Sequence, residues 1–324
     1  MSALTKLPEA LYPQAKFARL ADTTFDMPTA KALMWMSQVA YETDEPDKMR
    51  RILAVLGFEL ADDDVIIREE KASLAVARTH CFVCTGGDTA ILAFAGTDPI
   101  DLANWITNFT VRQVPDGATK GHEIAARIVW PKLKARLQRL PAGTRVFVTG
   151  HSLGGALAVL IARNIVNEQV AGVAAVYTFG MPRAGNPDFA NKYNAALGAR
   201  TFRLVHGDDL VPTVAPSFLN FHHVGRFLHC ERLAKFAASA LEDEPGSDQP
   251  PFVQTAVEDV SSALREPLAR LKAIAEQVEL VLSLVRGRGP AGLRTDPVGV
   301  AIETLPPRIR DHIPDRYIAA CGGP

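Results

Sequence analysis

Apolar and polar residues alternate along this chain with two different periods, one helical and one strand-like. In the first third, apolar residues at helical spacing predict helices over residues 27–42 and 48–56. Runs rich in β-branched and other apolar residues then predict three strands, with a Gly-Gly-Asp turn between the last two, over 65–68, 72–85 and 90–94. We expect the last two strands to form an antiparallel hairpin at one flank of a sheet.

From residue 145 onward, strand-like and helical segments alternate, after one further predicted helix. Helices are predicted over 123–140, from the residue after Ser152 to about 168, and over 187–197. Strands are predicted over 145–149, 173–179, 200–205 and 221–228. This order is typical of a parallel sheet with helices on both faces, so the sequence predicts an α/β fold with a mostly parallel central sheet.

Residues 232–302 interrupt this alternation. An acidic, proline-containing linker covers 242–251, and apolar residues then recur at spacings of four and three over 264–285. We interpret the chain as a single domain over 1–324 that contains a helical insertion at 232–302. Three roles for the long helix stay open at this point: packing on its own domain, forming a dimer seam, or acting as a cap or lipid-facing helix.

Composition narrows the classes of function. The chain has 324 residues, of which 48% are hydrophobic, enough to bury a large core. A formal net charge of -1 gives no support for a nucleic-acid partner. We see no secretory signal near the N-terminus and no run of 18 apolar residues, so we expect a cytoplasmic protein, with export by a route other than the Sec pathway left open.

The four cysteines do not suggest a disulfide framework. Cys81 and Cys84 are three positions apart on a predicted strand, which points their side chains to opposite faces of the sheet. A zinc site would need a second pair of ligands, and we find none in the sequence. We therefore expect reduced thiols, no metal and no cofactor.

The strongest chemical signal is the segment 150–155, Gly-His-Ser-Leu-Gly-Gly, which joins a predicted buried strand to a predicted buried helix. A Gly-x-Ser-x-Gly segment at such a junction is the nucleophile elbow of α/β-hydrolases. The tight turn requires glycine two residues before and two residues after the serine. We therefore predict Ser152 as a nucleophile, held at the N-terminus of a helix.

A serine nucleophile needs a histidine base and an acid, which follow it in this fold in the order acid, then histidine. Asp208 and Asp209 lie in one turn after a predicted strand, and both are candidates for the acid. His222 and His223 lie inside a predicted strand, where a packing role is favoured. His229, which we place at the start of a helix, and His312 remain equal candidates for the base.

Four separated motifs make the chain resemble the class 3 lipase family, the fungal-type triacylglycerol lipases and their relatives. They are Ala-Phe-Ala-Gly-Thr at 93–97, Val-Thr-Gly-His-Ser-Leu-Gly-Gly at 148–155, the segment 203–212 with its Asp-Leu-Val-Pro ending, and Asp311-His312 followed by Tyr317-Ile318. The resemblance implies the α/β-hydrolase fold. It also implies that Asp209 is the acid and His312 the base.

The same resemblance implies an oxyanion hole at Thr97 and Leu153. It also places a lid over 98–108, where the apolar residues that could cover the site are Ile100, Leu102, Trp105 and Ile106. A plain surface helix anchored by Trp105 is an equal alternative for this segment.

From these residues we expect a serine hydrolase of carboxylic esters, a lipase or esterase, that acts on an ester or lipid substrate and makes peripheral contact with lipid surfaces. A phospholipase or acyltransferase with the same triad is the alternative. A non-catalytic interaction protein with a lipase fold is a third reading. The sequence gives no indication of the oligomeric state.

Overall fold

The computed structural model describes residues 5–72, 75–97, 117–118, 120–214, 220–242 and 307–323. Its centre is one seven-stranded sheet in which the strands lie in chain order. The strands are β1 (Val65–Ala72), β2 (Ala75–Gly86), β3 (Thr89–Phe94), β4 (Arg145–His151), β5 (Val173–Phe179), β6 (Thr201–His206) and β7 (Arg226–Cys230). The first three pair antiparallel, and every pair from β3 to β7 is parallel.

Helices cover both faces of this sheet. They are α1 (Met27–Val39), α2 (Pro46–Leu56), α3 (Lys120–Leu137), α4 (Leu153–Asn167), α5 (Pro187–Leu197), α6 (Pro307–Arg310) and α7 (Pro314–Ala320). One apolar core lies between the sheet and α1, α2 and α7. The other lies between the sheet and α3, α4 and α5. The predicted α/β-hydrolase architecture, with its antiparallel flank, is therefore confirmed.

Parallel strands that are buried on both faces should be almost uniformly apolar. All residues of β3, β5 and β6 are buried, as are all but the first residue of β4. Helix α4 lies against this sheet and is buried along nearly all of its length, because its sequence is apolar around the whole circumference. Strand β4 and helix α4 therefore hold the connection between them rigidly.

The predicted strand over 221–228 is wrong in its first half. Residues 221–225 precede β7, and His222 donates its backbone N–H to the carbonyl of Gly185. Gly225 has a φ of +76°, a left-handed conformation that a strand does not continue through. The histidines of this segment thus lie before β7, and His229 lies inside β7 instead of at the start of a helix.

The four cysteines are buried free thiols. Cys81 packs in the core on the α3–α4–α5 side, and Cys84 packs in the core on the α1–α2–α7 side. The prediction that these two side chains point to opposite faces is therefore confirmed.

Strand register brings the site together. Phe94 pairs with Gly150, His151 with Phe179, and His206 with Cys230, so the carboxyl ends of the parallel strands lie along one edge of the sheet. Ligands of open α/β sheets bind at this edge.

Within the described residues, no helix has both the length and the apolar character needed to cross a membrane.

Candidate active site

Ser152 occupies the turn between β4 and α4 in a strained backbone conformation. Its φ of 59° and ψ of -132° lie in a region that residues with a side chain rarely adopt. Such strain costs on the order of 1–3 kcal/mol and is kept only where the surroundings impose it. Here the backbone N–H of Ser152 donates to the carbonyl of Phe179 at 2.8 Å, which fixes the turn to the end of β5.

The glycines around Ser152 are required by close backbone packing. A Cβ on Gly150 would lie 2.2 Å from the carbonyl oxygen of Gly154, and a Cβ on Gly154 would lie 2.4 Å from the carbonyl oxygen of Phe94. The prediction that both positions must lack a side chain is therefore confirmed. The absence of side chains lets the end of β3 lie directly against the start of α4.

His312 and Asp209 form a buried hydrogen-bonded pair. The Nδ1–H group of His312 donates to Oδ2 of Asp209 at 2.7 Å. Because an ionised carboxylate only accepts hydrogen bonds, the proton of the neutral ring lies on Nδ1 and its Nε2 is an acceptor. Gly180 leaves room for the pair, since a Cβ there would lie 2.7 Å from Asp209 Oδ2 and 2.9 Å from His312 Nδ1.

Two buried polar atoms at this site have no hydrogen-bond partner within the described part of the chain. They are the Oγ of Ser152 and the Nε2 of His312. Burial without a partner is costly for a polar atom, so such atoms call for an explanation. The ring of His312 lies 4.6 Å, centroid to centroid, from the ring of His151, the chain neighbour of Ser152. The unpaired acceptor and the unpaired hydroxyl thus belong to one site.

His151 links this site to the N-terminal part of the chain. Its Nε2–H donates to the backbone oxygen of His312 at 2.8 Å, so its Nδ1 accepts from the hydroxyl of Tyr41 at 2.7 Å. Burial, and next the neighbouring His312, hold the pKa of His151 well below its usual value. A neutral His151 fits this pattern, in which one ring nitrogen donates and the other accepts.

The carboxylate of Asp209 receives three hydrogen bonds. Besides His312, the hydroxyl of Tyr317 donates to Oδ2 at 2.6 Å and the backbone N–H of Val211 donates to Oδ1 at 2.8 Å. Burial and then the charge of Asp209 raise the pKa of Tyr317 well above its usual value, so its hydroxyl stays protonated and donates. The sequence contained Tyr317 in a motif but gave no reason to assign it this contact.

The other candidate histidines lie close to the acid loop but do not contact Asp209 in the described hydrogen-bond network. His223 donates through Nε2 to the carbonyl of Pro212 at 2.9 Å. His229 donates through Nε2 to the carbonyl of Gly207 at 2.9 Å. Each of these rings therefore supports the backbone of the loop that carries Asp209.

The two predicted oxyanion-hole residues, Thr97 and Leu153, follow residues of this turn or its packing partner. Leu153 is the first residue of α4, where backbone N–H groups have no acceptor within the helix. Thr97 follows Gly96, on which a Cβ would lie 2.7 Å from the Cβ of Ser152. The predicted lid residues Ile100, Leu102, Trp105 and Ile106 lie outside the described residues.

Taken together, the geometry can support attack by a serine hydroxyl. A buried hydroxyl, a ring nitrogen able to accept its proton, and a carboxylate that orients the ring all lie at one edge of the sheet. Among the described residues, no group of three His, Cys, Asp or Glu side chains is arranged to hold a metal ion.

Comparison with known proteins leads to the same family as the motifs. Residues 91–219 match the family "Lipase (class 3)". Over these residues, the chain is similar to the class 3 lipases. The lipase of Rhizomucor miehei is 33% identical over 170 residues, which cover 47% of this chain and 45% of that protein. A secreted mono- and diacylglycerol lipase of Fusarium solani is 31% identical over 159 residues, covering 43% and 47%.

Solved structures of this class share the fold. Lipase II from Rhizopus niveus has a TM-score of 0.52 and 22% identity, covering 67% of this chain and 84% of that one. A Rhizopus microsporus var. chinensis lipase has a TM-score of 0.51 and 22% identity, covering 69% and 81%. The chain spans less than half the length of the curated class 3 lipases described here.

The expectation of a cytoplasmic location is wrong. The Fusarium solani relative is named as a secreted enzyme. A mono- and diacylglycerol lipase of Malassezia restricta, 47% identical over 79 residues covering 24% of this chain and 26% of the relative, is also named as secreted. Both of these relatives are named as secreted, so the absence of an evident signal in the sequence was an unsafe guide to location.

Proposed function

We propose that this protein is a serine hydrolase of carboxylic esters that acts through Ser152, His312 and Asp209. The observation that carries the proposal is the pair of unpaired buried atoms, Ser152 Oγ and His312 Nε2, next to the His312–Asp209 hydrogen bond. A hydroxyl and an acceptor kept free of other partners are what a proton transfer between them requires.

The reaction proceeds by acyl transfer. Ser152 Oγ attacks the ester carbonyl carbon while its proton passes to His312 Nε2, and the resulting imidazolium is stabilised by Asp209. His312 then gives that proton to the leaving alcohol, which leaves an ester between Ser152 and the acyl group. A water molecule, deprotonated by His312, hydrolyses this acyl-enzyme and restores the serine.

The negative charge of the tetrahedral intermediate needs fixed donors. We assign this role to the backbone N–H groups of Leu153 and Thr97, because one lies at the start of α4 and the other follows the strand end that packs against the elbow. Donors of this kind contribute on the order of 3–4 kcal/mol each to stabilisation of the transition state.

The proposed substrates are acylglycerols, since the class 3 relatives of Fusarium solani and Malassezia restricta are named as mono- and diacylglycerol lipases. The proposed site of action is the surface of a lipid aggregate, which the protein contacts peripherally.

A fluorophosphonate probe tests the nucleophile. The probe should label the wild-type protein covalently at Ser152, and Ser152→Ala should take up no label. A second measurement compares nitrophenyl esters of graded chain length with emulsified mono-, di- and triacylglycerols. Equal labelling of wild type and Ser152→Ala would refute the assignment of the nucleophile. Labelling without turnover of any ester would refute the assigned reaction.

A further inference from the structure

One arginine joins the residue before the proposed acid to the residue before the proposed base. The Nε group of Arg232 lies 3.0 Å from both carboxylate oxygens of Asp311, and its Nη2 group donates to Oδ2 of Asp311 at 2.7 Å. The same Nη2 donates to Asp208 at 2.9 Å. Asp208 directly precedes Asp209, and Asp311 directly precedes His312. We call this set of contacts the Arg232 clamp.

The carboxylate of Asp311 sits in a pocket that the acid loop provides. Its side chain is only 2% exposed, and the backbone N–H of Asp208 donates to its Oδ2 at 2.9 Å. Gly207, at a φ of +55°, makes room for it, since a Cβ there would lie 2.6 Å from that oxygen. The loop that carries the acid is therefore shaped around the residue that precedes the base.

Asp311 is held as an anion. Burial alone would raise its pKa, but the hydrogen bonds from Arg232 and from the Asp208 backbone more than compensate, so the pKa lies below its usual value. Charge-assisted hydrogen bonds of a guanidinium to a carboxylate are strong and directional. Loss of Arg232 would leave a buried charge without its cationic partner, and the local structure would rearrange.

Arg232 itself is presented by a tight turn. The backbone N–H of Ala234 donates to the carbonyl of Glu231 at 2.9 Å, which places Arg232 and Leu233 at the centre of a four-residue turn. Leu233 adopts a φ of +68° and is 89% exposed. A leucine in a left-handed conformation, with its side chain in solvent, is strained without a packing benefit. The turn geometry that directs Arg232 to Asp311 therefore persists despite a local cost.

We propose that Arg232 is a positioning residue that sets the His312–Asp209 distance by binding Asp311 and Asp208 together. This inference rests on the proposed function. The stability contribution of the Arg232–Asp208 contact alone is small, because Asp208 is 71% exposed and water screens such pairs. Its role is geometric, since displacement of a catalytic group by about 1 Å can cost on the order of 100-fold in rate.

A matched control separates positioning from stability. Arg136 also binds a buried aspartate, Asp64, through Nε and Nη2, but it does so beside β1, at the opposite edge of the sheet. Arg232→Ala and Arg136→Ala should lower the free energy of unfolding by similar amounts. On a soluble nitrophenyl ester, Arg232→Ala should lower kcat by about 10- to 100-fold with KM within about threefold. Arg136→Ala should leave both constants within about twofold.

A second variant covers the case in which Arg232→Ala does not fold. Arg232→Lys keeps the charge but loses the forked geometry, so it should retain part of the rate, with a kcat loss of about 3- to 10-fold. Equal kcat values for Arg232→Ala, Arg232→Lys and wild type would overturn the proposal. So would a kcat loss in Arg136→Ala as large as that in Arg232→Ala.

A spectroscopic reading keeps this inference distinct from the proposed reaction. The Nδ1 proton of His312, hydrogen-bonded to Asp209, should give a low-field proton NMR signal that Asp209→Asn removes. Arg232→Ala should shift or broaden that signal, and Arg136→Ala should not. If the wild-type protein neither takes up the probe nor hydrolyses esters, the proposed function is refuted. The NMR comparison then still tests the positioning role of the Arg232 clamp, independently of the reaction. An unchanged signal in Arg232→Ala would overturn the positioning role of Arg232.

Discussion

The Nε2 atom of His151 lies 2.8 Å from the backbone oxygen of His312, so the residue before the proposed nucleophile is hydrogen-bonded to the proposed base. The two residues are 161 positions apart in the chain. The contact fixes the backbone of His312, while the bond to Asp209 fixes its ring. Together with the Arg232 clamp, the His151–His312 contact connects the loops that carry the nucleophile, the base and the acid.

His151→Phe should therefore slow the reaction. The variant keeps a planar ring at the position but loses the bonds to His312 and Tyr41, which frees the backbone of the base. We expect kcat on a soluble ester to fall by about 10- to 100-fold with little change in KM. Tyr41→Phe, which keeps the His151–His312 bond, should lose less. A His151→Phe variant with wild-type kcat would show that the contact does not position the base.

Replacement of Asp209 should lower kcat more than replacement of Asp208, because we assign Asp209 as the acid. Asp209→Asn should lower kcat by about 10⁴-fold, because an amide favours the wrong tautomer of His312. Asp208→Asn should lose less than about tenfold, since the side chain of Asp208 contacts Arg232 and its backbone bond to Asp311 is retained. Both variants are measured on the same nitrophenyl ester. The opposite ranking would refute the choice of acid.

Of His223, His229 and His312, only His312 should be indispensable. His312→Ala should lose on the order of 10³-fold or more in kcat/KM, which is the effect expected for loss of the general base. His223→Ala and His229→Ala remove hydrogen bonds to the carbonyls of Pro212 and Gly207, so their effects should be much smaller. An active His312→Ala together with an inactive His229→Ala would mean that the base is wrongly assigned.

The fold was largely predictable because its buried segments obey simple periodic rules. Strand β5 and helix α5 were placed with the bounds that the structure has, since each is a clear apolar segment ended by turn residues. The nucleophile elbow was predictable because the residues that determine its turn, a serine with a glycine two positions away on either side, lie within one short segment. The start of β7 was missed, because the left-handed turn at Gly225 ends the preceding segment while its sequence still resembles a strand.

Contacts across long chain separations could not be predicted. Arg232 and Asp311 are 79 positions apart, and no local pattern marks either as a partner of the other. His151 was visible only as part of the elbow motif, and its bond to His312 depends on where α6 and α7 bring the chain back. The sequence thus supplied the reacting groups, while the residues that orient them emerged only from the fold.

Tyr317→Phe tests one of these orienting contacts. The variant removes the hydroxyl that donates to Asp209 Oδ2 at 2.6 Å and preserves the buried ring. Asp209 then keeps His312 and the Val211 backbone as donors. Because a hydrogen bond to a charged group contributes about 1.5–3 kcal/mol, we expect kcat to fall by roughly 10- to 100-fold with KM unchanged. A Tyr317→Phe variant as active as wild type would show that this bond does not support Asp209.

Acid should destabilise the fold through its buried histidines, of which His122 in the first turn of α3 is the clearest case. Burial lowers the pKa of His122 to about 3, and burial also lowers the pKa of His151, His206 and His223. Between this value and the ordinary pKa of about 6.5, the unfolded chain binds a proton that the folded chain does not. The free energy of unfolding therefore rises with pH in this window and falls on acidification.

His122→Asn should reduce this dependence. A difference of one bound proton between the unfolded and the folded chain gives the free energy of unfolding a slope of about 1.4 kcal/mol per pH unit. The variant should therefore lose up to that amount of slope between about pH 5 and 6.5. Urea unfolding at several pH values in that range measures the slope directly, and it stays informative even if Asn lowers stability at every pH. Most carboxylates are ionised in both states within this window, so they add little to it. An unchanged slope in His122→Asn would mean that His122 is protonated to the same extent in the folded and unfolded chain.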